Sequence, residues 1–370
     1  MAGANLATPL YAVYAREFKF SSLVLTSVFA TYAFVLVPAL ILCGRLSDRF
    51  GRRPVILAGL AVACGGLVLF ALATSAVWLY AARALQGLAV GMISGAATAA
   101  LVELDPRGDR RRAALLAGLA QAGGSAAGPM LAGVLAQWAP DPLRLVYVVG
   151  LALTVVAAGA TLTLPESPDG RREPWRIQRP RVPREIRGRF ARVSLSAATV
   201  WAAVALYLSI VPTYAGALLG RDRLALLATI SAAALLSSFV AQLVARRRRG
   251  SPQLAQAAGL TLLALGLLGL VLAAPLASLA LLVAGSVVAG AGHGIAFLNA
   301  QEELNDAAPA QRRGEVTSAF IGCIYALVAG AVLGTGLLAA RFSLSLSVGA
   351  VSTGLLAVAV ATAVVSFRSR

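Results

Sequence analysis

The chain predicts an all-α integral membrane fold, two halves of six helices with the first helix incomplete. Three observations carry this. The first is composition: 59% of the 370 residues are hydrophobic and 13% charged, with a mean hydropathy of +0.81, where a soluble domain carries about 25% charged residues. A surface this apolar cannot be hidden from water, so lipid is its solvent. The second is patterning. The charges fall in short clusters between uncharged runs, most of them long enough to cross a bilayer, which takes about 20 apolar residues. The third is internal repetition. Val102-Glu103-Leu104-Asp105, ahead of Arg110, Arg111 and Arg112, is echoed some 200 residues later by Glu302-Glu303-Leu304-Asn305, ahead of Arg312 and Arg313.

Charge-free intervals count the spans. Residues 1–15 are uncharged but short: at 1.5 Å per residue they cover about 22 Å of a hydrocarbon core about 30 Å thick. Full intervals follow at 20–44, 54–82, 84–102, 113–140, 145–165, 193–220, 224–245, 250–301, 316–340 and 342–367. The long run 250–301 must hold two helices, parted near Ala274-Pro275, where proline interrupts it. Eleven full spans and one fragment result. The fragment reads as a first helix lacking its N-terminal half, with a natively short helix as the alternative. The expected organisation is a six-helix half over 1–165, a linker over 166–192 and a second half over 193–370.

Basic residues orient the spans. Twenty-five of the 32 Lys and Arg lie on one set of alternate connections, from Arg45, Arg49, Arg52 and Arg53 through to Arg368 and Arg370, against six on the other set and Arg83 within a span. By the positive-inside rule the rich side is cytoplasmic. The linker, the C-terminus and the N-terminus are therefore expected in the cytoplasm and the chain in the plasma membrane. The linker is rich in Pro and Arg and reads as a solvated connection. As an alternative, its end, with Ile186 and Phe190, lies on anionic lipid. No leader peptide is read at the start, because Arg16 follows the apolar segment rather than preceding it.

Several functions are excluded. The formal charge of +17 invites nucleic acid as a partner, but the basic residues are loop clusters, so none is expected. Cys43, Cys64 and Cys323 lie in or beside apolar runs without metal-ligand spacing, and read as core residues with free thiols. There is no nucleotide-binding loop, metal spacing or catalytic triad. No enzyme activity, metal or cofactor is expected.

The hairpin between the second and third spans narrows the class. Gly44-x-x-x-Asp48-Arg49-x-Gly51-Arg52-Arg53 resembles the loop signature of the major facilitator superfamily, in the place where that family carries it. The resemblance implies two homologous six-helix halves, with substrate bound between them near the midplane. It also implies that Asp48, Arg52 and Glu103, helped by the turns at Gly44 and Gly51, form a charge cluster that latches the cytoplasmic side shut. Arginines alone set topology; an aspartate and two glycines are not needed for that.

Two further stretches resemble family motifs. Arg83 opens Arg83-Ala84-Leu85-Gln86-Gly87-Leu88-Ala89-Val90-Gly91, which resembles the fourth-helix motif associated with proton coupling. A charge at membrane depth is costly and usually functional; the alternative is an arginine snorkelling to the outer interface. Gly124-x-x-x-Gly128-Pro129-x-x-x-Gly133 resembles the fifth-helix motif of drug–proton exchangers. Its spacing lets helices pack closely, and Pro129 removes a backbone hydrogen bond.

The second half is less marked. Arg246 to Arg249 with Gly250 stands where a second loop signature belongs, but without its aspartate. His293 is a second proton-coupling candidate, its unperturbed pKa being near 6.5, though a packed polar residue is the plainer reading. Glu302 and Glu303 read as partners for nearby arginines. Pocket candidates are Tyr11, Tyr14, Gln121, Trp201, Tyr207, Asn299 and Tyr325. No acidic residue lies mid-span in any complete helix. The expected activity is proton-driven export of a small apolar or cationic molecule by a monomer, with the proton gradient as energy source. Uptake of a sugar-like nutrient and a non-transporting scaffold or sensor are the rivals.

Overall fold

The computed structural model describes residues 2–43, 46–104, 110–138, 140–165, 180–209, 224–246, 250–273, 275–309 and 312–368. Among them, short helices α1 (Ala2–Asn5) and α2 (Tyr11–Glu17) flank a 3-10 turn at Thr8–Leu10. Then come α3 (Ser22–Cys43), the short α4 (Leu46–Phe50), α5 (Arg52–Ala71), α6 (Ala76–Glu103), α7 (Arg110–Trp138) and α8 (Pro142–Leu162). The second half holds α9 (Arg187–Ser209), α10 (Leu224–Ala245), α11 (Pro252–Ala273), α12 (Leu279–Ala307), α13 (Arg313–Ala339) and α14 (Leu344–Arg368). Eleven of these match the eleven expected spans, and the run 250–301 does divide into two helices, one ending at Ala273 and the next beginning at Leu279. Nine helices among the described residues are long and apolar enough to cross a membrane.

Local chemistry explains the boundaries. Pro142 and Pro252 begin α8 and α11, positions where the missing N–H costs nothing. Ser278 caps α12 by accepting from the Leu281 amide. Within the spans, hydroxyls return to their own helix: Thr31 donates to Ser27 O and Thr335 to Ala331 O, both at 2.8 Å. In hydrocarbon no water is available to do this instead.

The first helix is interrupted. Pro9 has no N–H to offer, and its ring opposes the carbonyl four residues back. The α-helix accordingly ends at Asn5 and resumes at Tyr11. Leu6, Ala7, Leu10 and Tyr11 are nonetheless at most 1% exposed, so the broken segment is threaded through the core.

Three expectations need correction. The third and fourth spans part at residues 72–75 rather than at Arg83, because Ser75 is extended ahead of α6; a charge-free interval marks charge, not a helix end. The seventh span begins at Arg187 rather than 193, since its first turns carry arginines that find partners on α12. Ile186 and Phe190, expected in the linker, are half-buried and pack against the core.

The halves meet where α3 packs along α13 and α7 along α10. Where α3 begins and α13 stops, Gly336 packs directly on Thr26.

Candidate functional site

Three groups of polar residues stand out: one at the charged end of each half and one buried inside the first half. The first lies on the hairpin. α4 ends at Phe50, and Gly51 turns the chain with φ 93°, which a side chain would strain. That turn places Arg52 at the start of α5, one turn beyond Asp48. Arg52 Nη1 donates to Asp48 Oδ1 at 2.5 Å and Ser47 Oγ at 2.6 Å, while Nε and Nη2 donate to Glu103 Oε1 at 3.1 and 2.8 Å. One planar fork thus ties the short α4, the start of the third span and the last residue of the fourth, a geometry lysine cannot copy. These side chains are 22% exposed for Arg52 and 33% for each carboxylate. Gly44 lies outside the described residues.

The second group centres on Glu303, near the end of α12. Its carboxylate pairs with Arg192, stands 3.7 Å from Arg189 Nε, and accepts from Gln256 Nε2 at 2.7 Å. Arg192 also reaches Gln256 Oε1 at 3.4 Å and Ser366 Oγ at 3.5 Å. Here the pair is enclosed: Glu303 is 5% exposed and Arg192 10%. Glu303 occupies the repeat position of Glu103, and among the described residues its cations, Arg189 and Arg192, come from α9; Arg247, Arg248 and Arg249 lie outside the described residues.

The third group surrounds Arg83 in the second turn of α6, at 3% exposure. Snorkelling is overturned, since the guanidinium points into the protein. Its Cζ lies 4.9 Å from the ring centre of Tyr32, 5.1 Å from Phe29 and 5.8 Å from Tyr11. Nη1 donates to Ala4 O and to Gln86 Oε1, both at 2.9 Å, and Gln86 Nε2 donates to Gly3 O at 2.9 Å. Arg83 and Gln86, one helical turn apart, thereby satisfy carbonyls that the Pro9 interruption frees. Gly87 makes the approach possible: a Cβ there would stand 2.6 Å from Tyr32 O. Across the seam, Tyr32 meets Tyr325 of α13 edge-on, with ring centres 6.3 Å apart.

The remaining candidates scatter. Gly128 lies against the N-terminal segment, where a Cβ would come 2.4 Å from Ala2 O; Pro129 and Gly133 are buried, Gly124 is half-buried, and α7 runs on through the proline. Tyr11 joins the Arg83 group. Tyr14 Oη lies within hydrogen-bond distance of Phe70 O and Tyr147 Oη, and Tyr207 donates to Gly266 O, so both brace packing within one half. Asn299 returns to Ile295 O on its own helix, and Gln121 is exposed. His293 is 3% exposed, with Nδ1 2.8 Å from Ser238 Oγ and its ring edge-on to Trp201 at 4.8 Å. Among the described residues no group of His, Cys, Asp and Glu is arranged to hold a metal. Phe29, Tyr32, Gln86 and Arg192 were not singled out in the sequence. Gln86 alone had a usable signal, its three-residue spacing from Arg83.

A family model described as the Major Facilitator Superfamily matches residues 1–332. The chain belongs to the Major Facilitator Superfamily. That places it among transporters rather than enzymes, and as a multi-pass membrane protein. Over 134 residues it is 34% identical to a triacylglyceride transporter of Mycobacteroides abscessus, across 36% of this chain and 26% of that protein. Over 115 residues it is 38% identical to the class C tetracycline resistance protein of Escherichia coli, across 30% of this chain and 27% of that one. These alignments thus span about a quarter of the relatives' length. Among solved structures, the nucleoside transporter NupG superposes with a TM-score of 0.73 over 99% of this chain and 96% of that one, at 14% identity. A bacterial homologue of the human lysosomal transporter Spinster, inward-facing and occupied, gives 0.71 over 100% and 94%, at 16% identity. At such identities the likeness is one of fold.

Proposed function

We propose that this facilitator exports a small molecule from the cytoplasm across the plasma membrane, driven by inward proton movement. The two halves rock about a site between them, and the Asp48–Arg52–Glu103 cluster gates the cytoplasmic side. The observation that carries this reading is the placement of Gly128 and Pro129. The stretch resembling the exchanger motif lies on α7, the helix that packs across the seam onto α10, and Gly128 touches the broken first helix. A motif of small residues and proline at that joint suits a helix that must shift between two packings. The local similarity to tetracycline resistance proteins supports the direction. Arg83 is the residue through which coupling is best sought, and the charge distribution supports cytoplasmic termini and linker.

The test is accumulation of tetracycline and of a cationic dye in cells making the chain, with and without a proton uncoupler. Lower accumulation that the uncoupler restores is the expected result. Unchanged accumulation of both, with the protein inserted in the membrane, would remove the export reading.

A further inference from the structure

The Arg83 group is a charged centre without a counter-charge. Among the described residues no carboxylate pairs with it; its hydrogen-bond partners are the Ala4 carbonyl and the Gln86 amide oxygen, both neutral. Both bonds leave from Nη1. Nε is buried and has no partner. Three aromatic faces soften the guanidinium's loss of water, yet a buried charge without an opposite charge stays unfavourable. Arginine does not escape by losing its proton. The centre therefore holds a net positive charge enclosed by rings, with its Nε–H to spare. It also lies at the seam, since Tyr32 of the same group touches Tyr325 of the other half.

We infer that Arg83 is the anion-recognition residue of a substrate site, and that its ligands are monoanions, carboxylates above all, joined to a flat apolar body. The carboxylate takes the Nε edge of the guanidinium, where planar pairing is best. The apolar body lies among the rings of Tyr11, Phe29 and Tyr32. This departs from the expectation of an apolar or cationic substrate. It deepens the export reading by naming the substrate class and rests on that reading only for the direction of transport.

Equilibrium dialysis of the purified full chain tests it, with 1-naphthoate against its neutral near-isostere 1-naphthamide. In the unaltered protein the carboxylate binds at least about tenfold tighter. Arg83→Gln erases the preference, and Arg83→Lys keeps part of it. Equal binding of acid and amide, or no binding of either at millimolar concentration, overturns the proposal without any variant. So does a preference that survives Arg83→Gln in folded protein. Selective binding without uncoupler-sensitive efflux would instead sink the export reading and leave the anion site standing.

Discussion

The two charged ends of the molecule are built on one repeat and solve it differently. In the first half, Glu103 at the end of α6 meets Arg52, which the hairpin turn delivers from the neighbouring helix, and the group keeps contact with water. In the second half, Glu303 at the matching place on α12 takes Arg192 from α9 and Gln256 from α11, and is almost fully enclosed. The difference in burial sets what each cluster can do. An exposed ion pair is worth roughly 0–1 kcal/mol, so it can open and close at little cost. A buried pair, once made, is strongly destabilising to break. The first end is fit for a gate. The second is fit for a joint that fixes α9, α11 and α12 as one body.

The sharpest way to break this contrast is Glu303→Gln. It leaves Arg192 buried without its carboxylate, which should cost on the order of 3–5 kcal/mol. The expected outcome is a large fall in melting temperature of the purified protein and little monodisperse material. An unchanged melting curve would mean that the joint carries no stability and that the two ends are equivalent after all.

Next in size is Asp48→Asn in the first half. If the hairpin cluster is a gate, transport falls several-fold while insertion and melting stay close to those of the parent, since an exposed pair is worth about 1 kcal/mol or less. Normal transport by the variant would end the gating role. A melting loss matching that of Glu303→Gln would show that both clusters are structural.

How much of this was legible beforehand depended on charge and on one motif. The hairpin cluster could be named residue by residue, because the hairpin resembles the family's loop signature and that resemblance implies Asp48, Arg52 and Glu103 together. The helix count was legible from the charge-free intervals. Where charge misled, it did so locally. The charge at Arg83 bounds two uncharged intervals, yet α6 begins at Ala76 and carries Arg83 in its second turn, because a ring-lined, carbonyl-lined site can keep a guanidinium away from water. Arg187 to Arg192 read as linker but form the first turns of α9, because Glu303 is within reach. Of the three rings that enclose Arg83, only Tyr11 was singled out. Phe29 and Tyr32 sit in an uncharged run of helix, and nothing in their spacing separates a residue facing a buried cation from one facing lipid. The partners Gly3 and Ala4 contribute only backbone oxygens, which no side-chain pattern reveals. Pro9 gave the one hint, as a residue that must release carbonyls somewhere upstream.

The smallest effect distinguishes the two ends most finely. Arg52→Lys keeps the positive charge of the hairpin but loses the fork that serves Asp48, Ser47 and Glu103 together. An ammonium can hold one carboxylate well and the other only at longer range. A gate that works by charge alone would tolerate the change, and transport would be unaltered. A gate that works by tying three helix ends through one planar group should lose about half an order of magnitude in rate with melting nearly constant, since the exposed bonds given up are each worth well under about 1 kcal/mol. Initial rates of efflux at equal amounts of inserted protein separate these outcomes. The matching change in the second half, Arg192→Lys, gives the opposite signature: melting falls, because the enclosed fork also serves Gln256 and Ser366. If instead both lysine variants lower rate and melting in the same proportion, the two ends act as one structural device, and the division into gate and joint fails.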